Sequence, residues 1–391
     1  MNQNPQFRCM STAREGQWLY QFGEEGIIYS EAQNRIAGLD AAGVLAYQAF
    51  DAGASLHHLQ MVGDAGPGSF AAEQALNTIF ALSQGRFPET QESEERRDWP
   101  ALFSAPCANV EVHGIPMLVE CDEALSVLCM DPFLSCPAST QPARFHLQVH
   151  RSGTTLAISV NGRDIFFLVR DEQIGLGMLH AVRSLLYAEA PYDAAFHGAM
   201  LAGAQHGVML CGPREFGKST LAAYLAAHGF RLVSDEPSLL HLQTASISPS
   251  ASISPIEMPV SLKEGTWSIL EGDWPQLIDA PVHVRSDGRR IKLLHPSRNH
   301  AAHAPQPLTH IVFPKYSPSS PARLEELSPI RRITLLNEAG MLLGKQLNKD
   351  KFEQLLTLIC ATPAFTAHYP SLQAASQILQ QILHSDHPCR A

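Results

Sequence analysis

The segment 207–225, GVMLCGPREFGKSTLAAYL, constrains this chain more than any other part of it. Its residues Gly212-Pro213-Arg214-Glu215-Phe216-Gly217-Lys218-Ser219 fit the pattern G-x-x-x-x-G-K-[ST]. A short apolar strand, 208–211, precedes the pattern, and helix-forming composition begins at Thr220. In a strand–loop–helix unit of this kind, successive backbone N–H groups line a concave loop, and the helix N-terminus adds partial positive charge. Such a loop binds phosphate. Lys218 is then placed to reach the β and γ phosphates of a nucleotide, and the Ser219 hydroxyl to coordinate Mg²⁺. Gly212 through Thr220 therefore form the candidate ATP site. The interior, Pro213-Arg214-Glu215-Phe216, is bulky where many such loops carry Gly, Ser or Ala. It either points outward into solvent or crowds the nucleotide.

Two further groups fall at the right order in the chain. Past the helix stop at His228-Gly229, residues 231–236 read as the next strand and end in Asp235-Glu236. Parallel strands leave their C-terminal ends on one edge of a sheet, so these carboxylates arrive beside the loop. There they suit Mg²⁺ binding and proton abstraction from an incoming hydroxyl. Upstream, Phe196-His197-Gly198 puts a histidine just before the apolar strand. It either faces the γ-phosphate as a charge stabiliser or proton carrier, or is a structural histidine.

Composition narrows the class. The 28 Lys and Arg against 38 Asp and Glu leave a net charge of -10 over 391 residues, which argues against general nucleic-acid binding. No apolar stretch reaches the eighteen or so residues of a membrane span. The N-terminal residues carry no secretory apolar region, and the eight cysteines are scattered, so reduced thiols in a cytoplasmic protein are expected. The texture of the chain suggests a small α+β domain at 1–85, with helical patterns at residues 39–50 and 71–82. A charged linker follows at 86–104. A β-rich segment at 105–190 closes with a helix at 174–190. An α/β domain covers 191–391, interrupted by a Ser/Pro-rich loop at 245–255. Within it, residues 349–383 read as helical with breaks at Pro363 and near Pro370.

The segments FHGAML, GVMLCGPREFGKSTLAAYLAAHGFRLVSDE, PVSLKEG and LTHIVFPKY resemble the HPr kinase/phosphorylase superfamily, above all its stand-alone HprK-related kinases. The resemblance spans about 105–383 and is most specific over 197–236. It implies a P-loop kinase domain with a phosphoenolpyruvate-carboxykinase-like nucleotide site. It also implies Lys218 and Ser219 on nucleotide and metal, Asp235 as general base, and His197 near the transferring phosphate. Lys263 matches a loop lysine expected near the active site. The chain departs from the family pattern at three places. Glu236 replaces a second Asp, Arg214-Glu215 replaces a small Ser-Gly pair, and Thr220 stands where the enzymes acting on HPr carry Glu. HPr itself is therefore a poor candidate substrate. Residues 36–55, IAGLDAAGVLAYQAFDAGAS, resemble the PqqD-like winged-helix module, which binds leader peptides by adding a strand. The alternative there is a generic helical cap.

Other clusters carry less. His295, His300, His303 and His310 crowd one proline-rich stretch without a Cys or carboxylate at ligand spacing. Arg289-Arg290-x-Lys292 reads as a solvated hairpin end or a phosphate contact. The expectation is an ATP- and Mg²⁺-dependent kinase acting on a hydroxyl, foremost a Ser or Thr of a ribosomally made peptide. The alternatives are a small-molecule hydroxyl kinase and a nucleotide-regulated binding module. No nucleic-acid or membrane partner is expected, and a homo-oligomer is compatible with the resemblance.

Overall fold

The computed structural model describes residues 7–52, 108–152, 155–203, 205–213, 215–243 and 250–384. The helix expected at 71–82 and the linker expected at 86–104 lie outside these. The chain opens with β1 (Arg8–Ser11), β2 (Gln17–Phe22), β3 (Glu25–Ser30), β4 (Arg35–Leu39) and helix α1 (Ala41–Asp51). The four strands form a meander in sequence order. A Gly-Glu-Glu-Gly turn folds 17–30 into a hairpin that pairs Tyr20 with Ile27 and Trp18 with Tyr29. Strand alternation then sorts side chains between two faces. Leu19, Ile28 and Leu39 bury Val44 and Tyr47 of α1 on one face. Leu39, grouped with the helix in the sequence pattern, is thus the last residue of β4. Tyr20, Ile27 and Tyr29 point the other way and join a core whose other members lie between Ala194 and Ala364. Tyr29 stacks on Phe352 at 4.0 Å between ring centroids, and its hydroxyl donates to the Leu347 carbonyl at 2.9 Å.

A second sheet contains β5 (Ala108–Val112), β6 (Ile115–Cys121), β7 (Phe145–Ser152), β8 (Thr155–Val160) and β9 (Arg163–Leu168), in that order. Its apolar positions share a core with Met178, Leu179, Val182 and Leu186 of α2 (Ile174–Glu189).

The rest of the chain runs β10 (Ala194–Phe196), β11 (Ala199–Ala202), β12 (Gly207–Leu210), α3 (Lys218–Ala227), β13 (Arg231–Asp235), β14 (Ser238–Gln243), β15 (Ser250–Ile253), β16 (Val260–Lys263), β17 (Val282–Val284) and β18 (Arg290–Leu294). It continues with β19 (Gln306–Pro307), β20 (His310–Tyr316), β21 (Arg323–Glu326), α4 (Pro329–Glu338), β22 (Leu342–Leu343), α5 (Lys349–Ala361), β23 (Ala364–Tyr369) and α6 (Leu372–His384). The sheet that matters for function has the order β13-β11-β12-β20-β23-β21. Strands β12, β20 and β23 are mutually parallel, while β11 lies antiparallel between β12 and β13. The sheet is mixed, and both of its faces are covered. Val208 and Leu210 pack with Leu221 and Leu225 of α3, whereas Met209 and Cys211 face Leu355 and Ile359 of α5.

Residues 349–383 correct the sequence reading. Two helices are present, but 364–369 is a strand, paired in parallel with β20. Pro363 ends α5, and the six residues AFTAHY then carry enough β-forming side chains to fill a slot in the sheet. Among the described residues, no helix is long and apolar enough to cross a membrane. Cys121, Cys129, Cys211 and Cys360 are buried.

Candidate functional site

Strand β12 delivers the chain into the 212–219 loop at the C-terminal edge of the sheet. Gly212 at φ 138° and Gly217 at φ 79° take backbone conformations that side chains disfavour, and Gly217 is the residue from which α3 starts. Lys218 opens the helix with its side chain buried. Its Nζ donates to the carbonyls of Gly212 at 2.7 Å and Pro213 at 2.9 Å, folding back over the loop. Burial lowers its pKa, against the pull of Asp235 and Glu236. Pro213, Glu215 and Phe216 are exposed, so the bulky interior points outward at these positions. Arg214 lies outside the described residues. Thr220 is half-buried on the first turn of α3.

Asp235 sits at the end of β13. Because β11 runs antiparallel between them, β12 and β13 point the same way, and their ends share one edge despite not being neighbours. The Ser219 hydroxyl donates to Asp235 Oδ1 at 3.3 Å. Burial drives the Asp235 carboxyl up to about 6, aided by Glu236 and opposed by Arg183, Ser219 and Lys218.

Glu236 turns elsewhere. Its backbone adopts φ 47°, and its carboxylate lies 2.7 Å from His197 Nδ1 and 3.5 Å from an Arg183 guanidinium nitrogen. Burial alone would raise this carboxyl, but Arg183 and His197 hold it at about 2. The two adjacent carboxylates make different contacts: Asp235 accepts from Ser219, and Glu236 meets His197 and Arg183, whose charge is felt at both. His197, at the corner between β10 and β11, reaches the site through Glu236.

Lys263 ends β16 and reaches the loop. Its Nζ lies 3.6 Å from Glu215, which also pairs with Arg289. Arg289 belongs to the turn of the β17–β18 hairpin, so one residue of that basic cluster meets the 212–219 loop. Arg290 pairs with Glu264, and Lys292 is buried against the carbonyls of Leu277 and Ile278.

Arg183 is absent from the sequence reading. It lies on the buried side of α2, 8% exposed, with Nε and Nη2 lacking any hydrogen-bond partner. The available signal was a lone arginine one turn after Leu179 on an otherwise apolar face. The four clustered histidines disperse. His295 binds Asp131 at 3.3 Å and Ser135 at 2.8 Å, and His300 meets Ser297. His303 contacts the Arg298 carbonyl, while His310 contacts Thr309. Asp131 also pairs with fully buried His283 at 2.6 Å, tying the second sheet's segment to the β17–β18 hairpin.

No protein-family model matches the chain, and no curated protein matches it. Among solved structures, it is similar to the HPr(Ser) kinase/phosphatase from Coxiella burnetii, at 12% identity and a TM-score of 0.24. That alignment covers 48% of this chain and 96% of the other. A likeness of this size assigns neither a family nor a reaction, so the site is read from its own residues.

Proposed function

We propose that this protein is an ATP- and Mg²⁺-dependent kinase that transfers the γ-phosphoryl to a hydroxyl acceptor. The observation that carries this reading is the meeting of Lys218, Ser219 and a buried Asp235 at one sheet edge, with Ser219 and Asp235 3.3 Å apart. A hydroxyl beside a carboxylate is an oxygen donor pair suited to a hard divalent cation. Ser219 and Asp235 would hold Mg²⁺, which supplies charge neutralisation on the phosphates. The loop N–H groups bind the nucleotide, and Lys218 exchanges the carbonyls of Gly212 and Pro213 for phosphate oxygens. Asp235 accepts the acceptor hydroxyl's proton as its oxygen attacks the γ-phosphorus and the bond to ADP breaks. With no metal bound, burial keeps the Asp235 carboxyl at about 6, so it is ionised at neutral pH. Arg183 and His197 orient Glu236 behind it.

The acceptor we favour is a Ser or Thr in a peptide. Strand β1 is a largely exposed edge of the N-terminal sheet, and such an edge accepts an added strand. A second reading, a nucleotide-responsive binding module, draws on Glu236 facing His197 and Arg183 instead of Ser219.

The test is release of ADP and transfer of labelled phosphate from Mg²⁺-ATP across peptide and small hydroxyl acceptors, with Lys218→Ala and Asp235→Asn alongside. Transfer that Asp235→Asn abolishes supports the kinase. Tight nucleotide binding with no turnover on any acceptor favours the module.

A further inference from the structure

The tip of the 212–219 loop is tied to a different sheet by charge. Glu215 holds φ 75°, a conformation a residue with a side chain rarely takes, and its carboxylate engages Arg289 and Lys263. Glu215 is the ion-pair partner found for Lys263, while Arg289 has a second contact, with Asp287 at 3.4 Å. Arg285 adds a third positive charge and pairs with the same Asp287. Through Glu215, a residue of the 212–219 loop itself, Lys263 and Arg289 are both held against that loop. A carboxylate and a phosphoryl oxyanion present the same chemistry to a guanidinium and an ammonium.

We propose that Lys263 and Arg289 form an anion subsite for the terminal phosphate of the bound nucleotide, and that Glu215 is an internal stand-in occupying it until phosphate arrives. This rests on the kinase reading above and adds to it a competitor carried by the loop itself. Here each binding event must first detach Glu215, which weakens affinity for nucleotide and selects ligands with enough negative charge to displace a carboxylate.

The experiment is calorimetric titration of inorganic pyrophosphate, and separately of Mg²⁺-ATP, into the full chain. The variants are Glu215→Gln, Arg289→Ala and the double variant, all on the exposed surface. Two exposed ion pairs of ordinary strength predict that Glu215→Gln tightens both ligands about three- to ten-fold. In the Arg289→Ala background the same change should gain only about two- to three-fold, because one of the two pairs it relieves is already gone and the pair with Lys263 remains. Equal tightening with and without Arg289 would mean that Glu215 acts only as a general negative charge, and it overturns the subsite. Unchanged or weaker binding by Glu215→Gln overturns it as well. If the folded wild type and Glu215→Gln both fail to bind ATP, the kinase reading falls with it. If both bind equally, only the stand-in falls.

Discussion

Asp235→Asn should stabilise the protein above neutral pH while it ends phosphoryl transfer. Asp235 is 5% exposed, and burial pushes its carboxyl from an ordinary 3.8 to about 6. Between those values the folded chain holds a proton that the unfolded chain has released. The group's contribution to stability is therefore fully present below about pH 3.8 and is lost as pH rises through about 6. Roughly two pKa units at about 1.4 kcal/mol each put the penalty of the ionised, buried carboxylate near 3 kcal/mol at pH 8. Asparagine keeps the shape and an oxygen to accept from Ser219, but it carries no charge. Urea denaturation without divalent metal, followed by the fluorescence of buried Trp267 and Trp274, reads the difference. At pH 8 the variant should gain about 2–3 kcal/mol, and at pH 4 less than about 1 kcal/mol. A gain that is absent, or equal at both pH values, refutes the reasoning. A pH-dependent gain would identify Asp235 as a site where stability is given up for chemistry.

Arg183→Met removes the cation that lowers both Asp235 and Glu236, so the acidic limb of the transfer-rate profile should move to higher pH. Leaving half-buried Glu236 with His197 alone should also destabilise by roughly 1–3 kcal/mol, with partial rescue by Arg183→Lys; an unmoved limb would sink the assignment. Gly175→Ala places a methyl 2.3 Å from a ring carbon of buried His283 and 2.9 Å from the Leu128 carbonyl. Overpacking of this kind should cost about 1–3 kcal/mol or more in a thermal melt, and a neutral result would show that the segment yields. Tyr29→Ala deletes the ring stacked on Phe352 and should cost about 3–5 kcal/mol. Limited proteolysis should then cut first between β1 and β4, and protection equal to wild type counts against the docking.

What was legible in the sequence was what is local. The 212–219 loop, its helix and Asp235 lie within one short stretch, so spacing alone placed them together. The alternating runs of 109–169 became strands because their period of two needs no distant partner to be seen. The strand at 364–369 was hidden because its pairing is with 311–316, and two prolines imitate a broken helix. Arg183 was invisible for the same reason. Its partner Glu236 lies on another element, and an arginine on an apolar helix carries no motif. The Asp131–His283–His295 tie joins side chains 152 and 164 residues apart, which no local pattern records. Glu215 reads as bulk in the loop, since the cation it meets sits 74 residues away on a hairpin whose sequence fits a solvated end or a phosphate contact equally.

The Tyr29 ring has a consequence for the order of synthesis. Its hydroxyl acceptor, Leu347, comes 318 residues later. At a translation rate of about 5–20 residues per second, the first sheet emerges roughly 15–60 s before the surface that covers its aromatic face. Throughout that interval Tyr29 lacks both its hydroxyl acceptor and the Phe352 ring that stacks on it. Slowing the ribosome after residue 52 should lengthen that interval and lower the yield of folded protein.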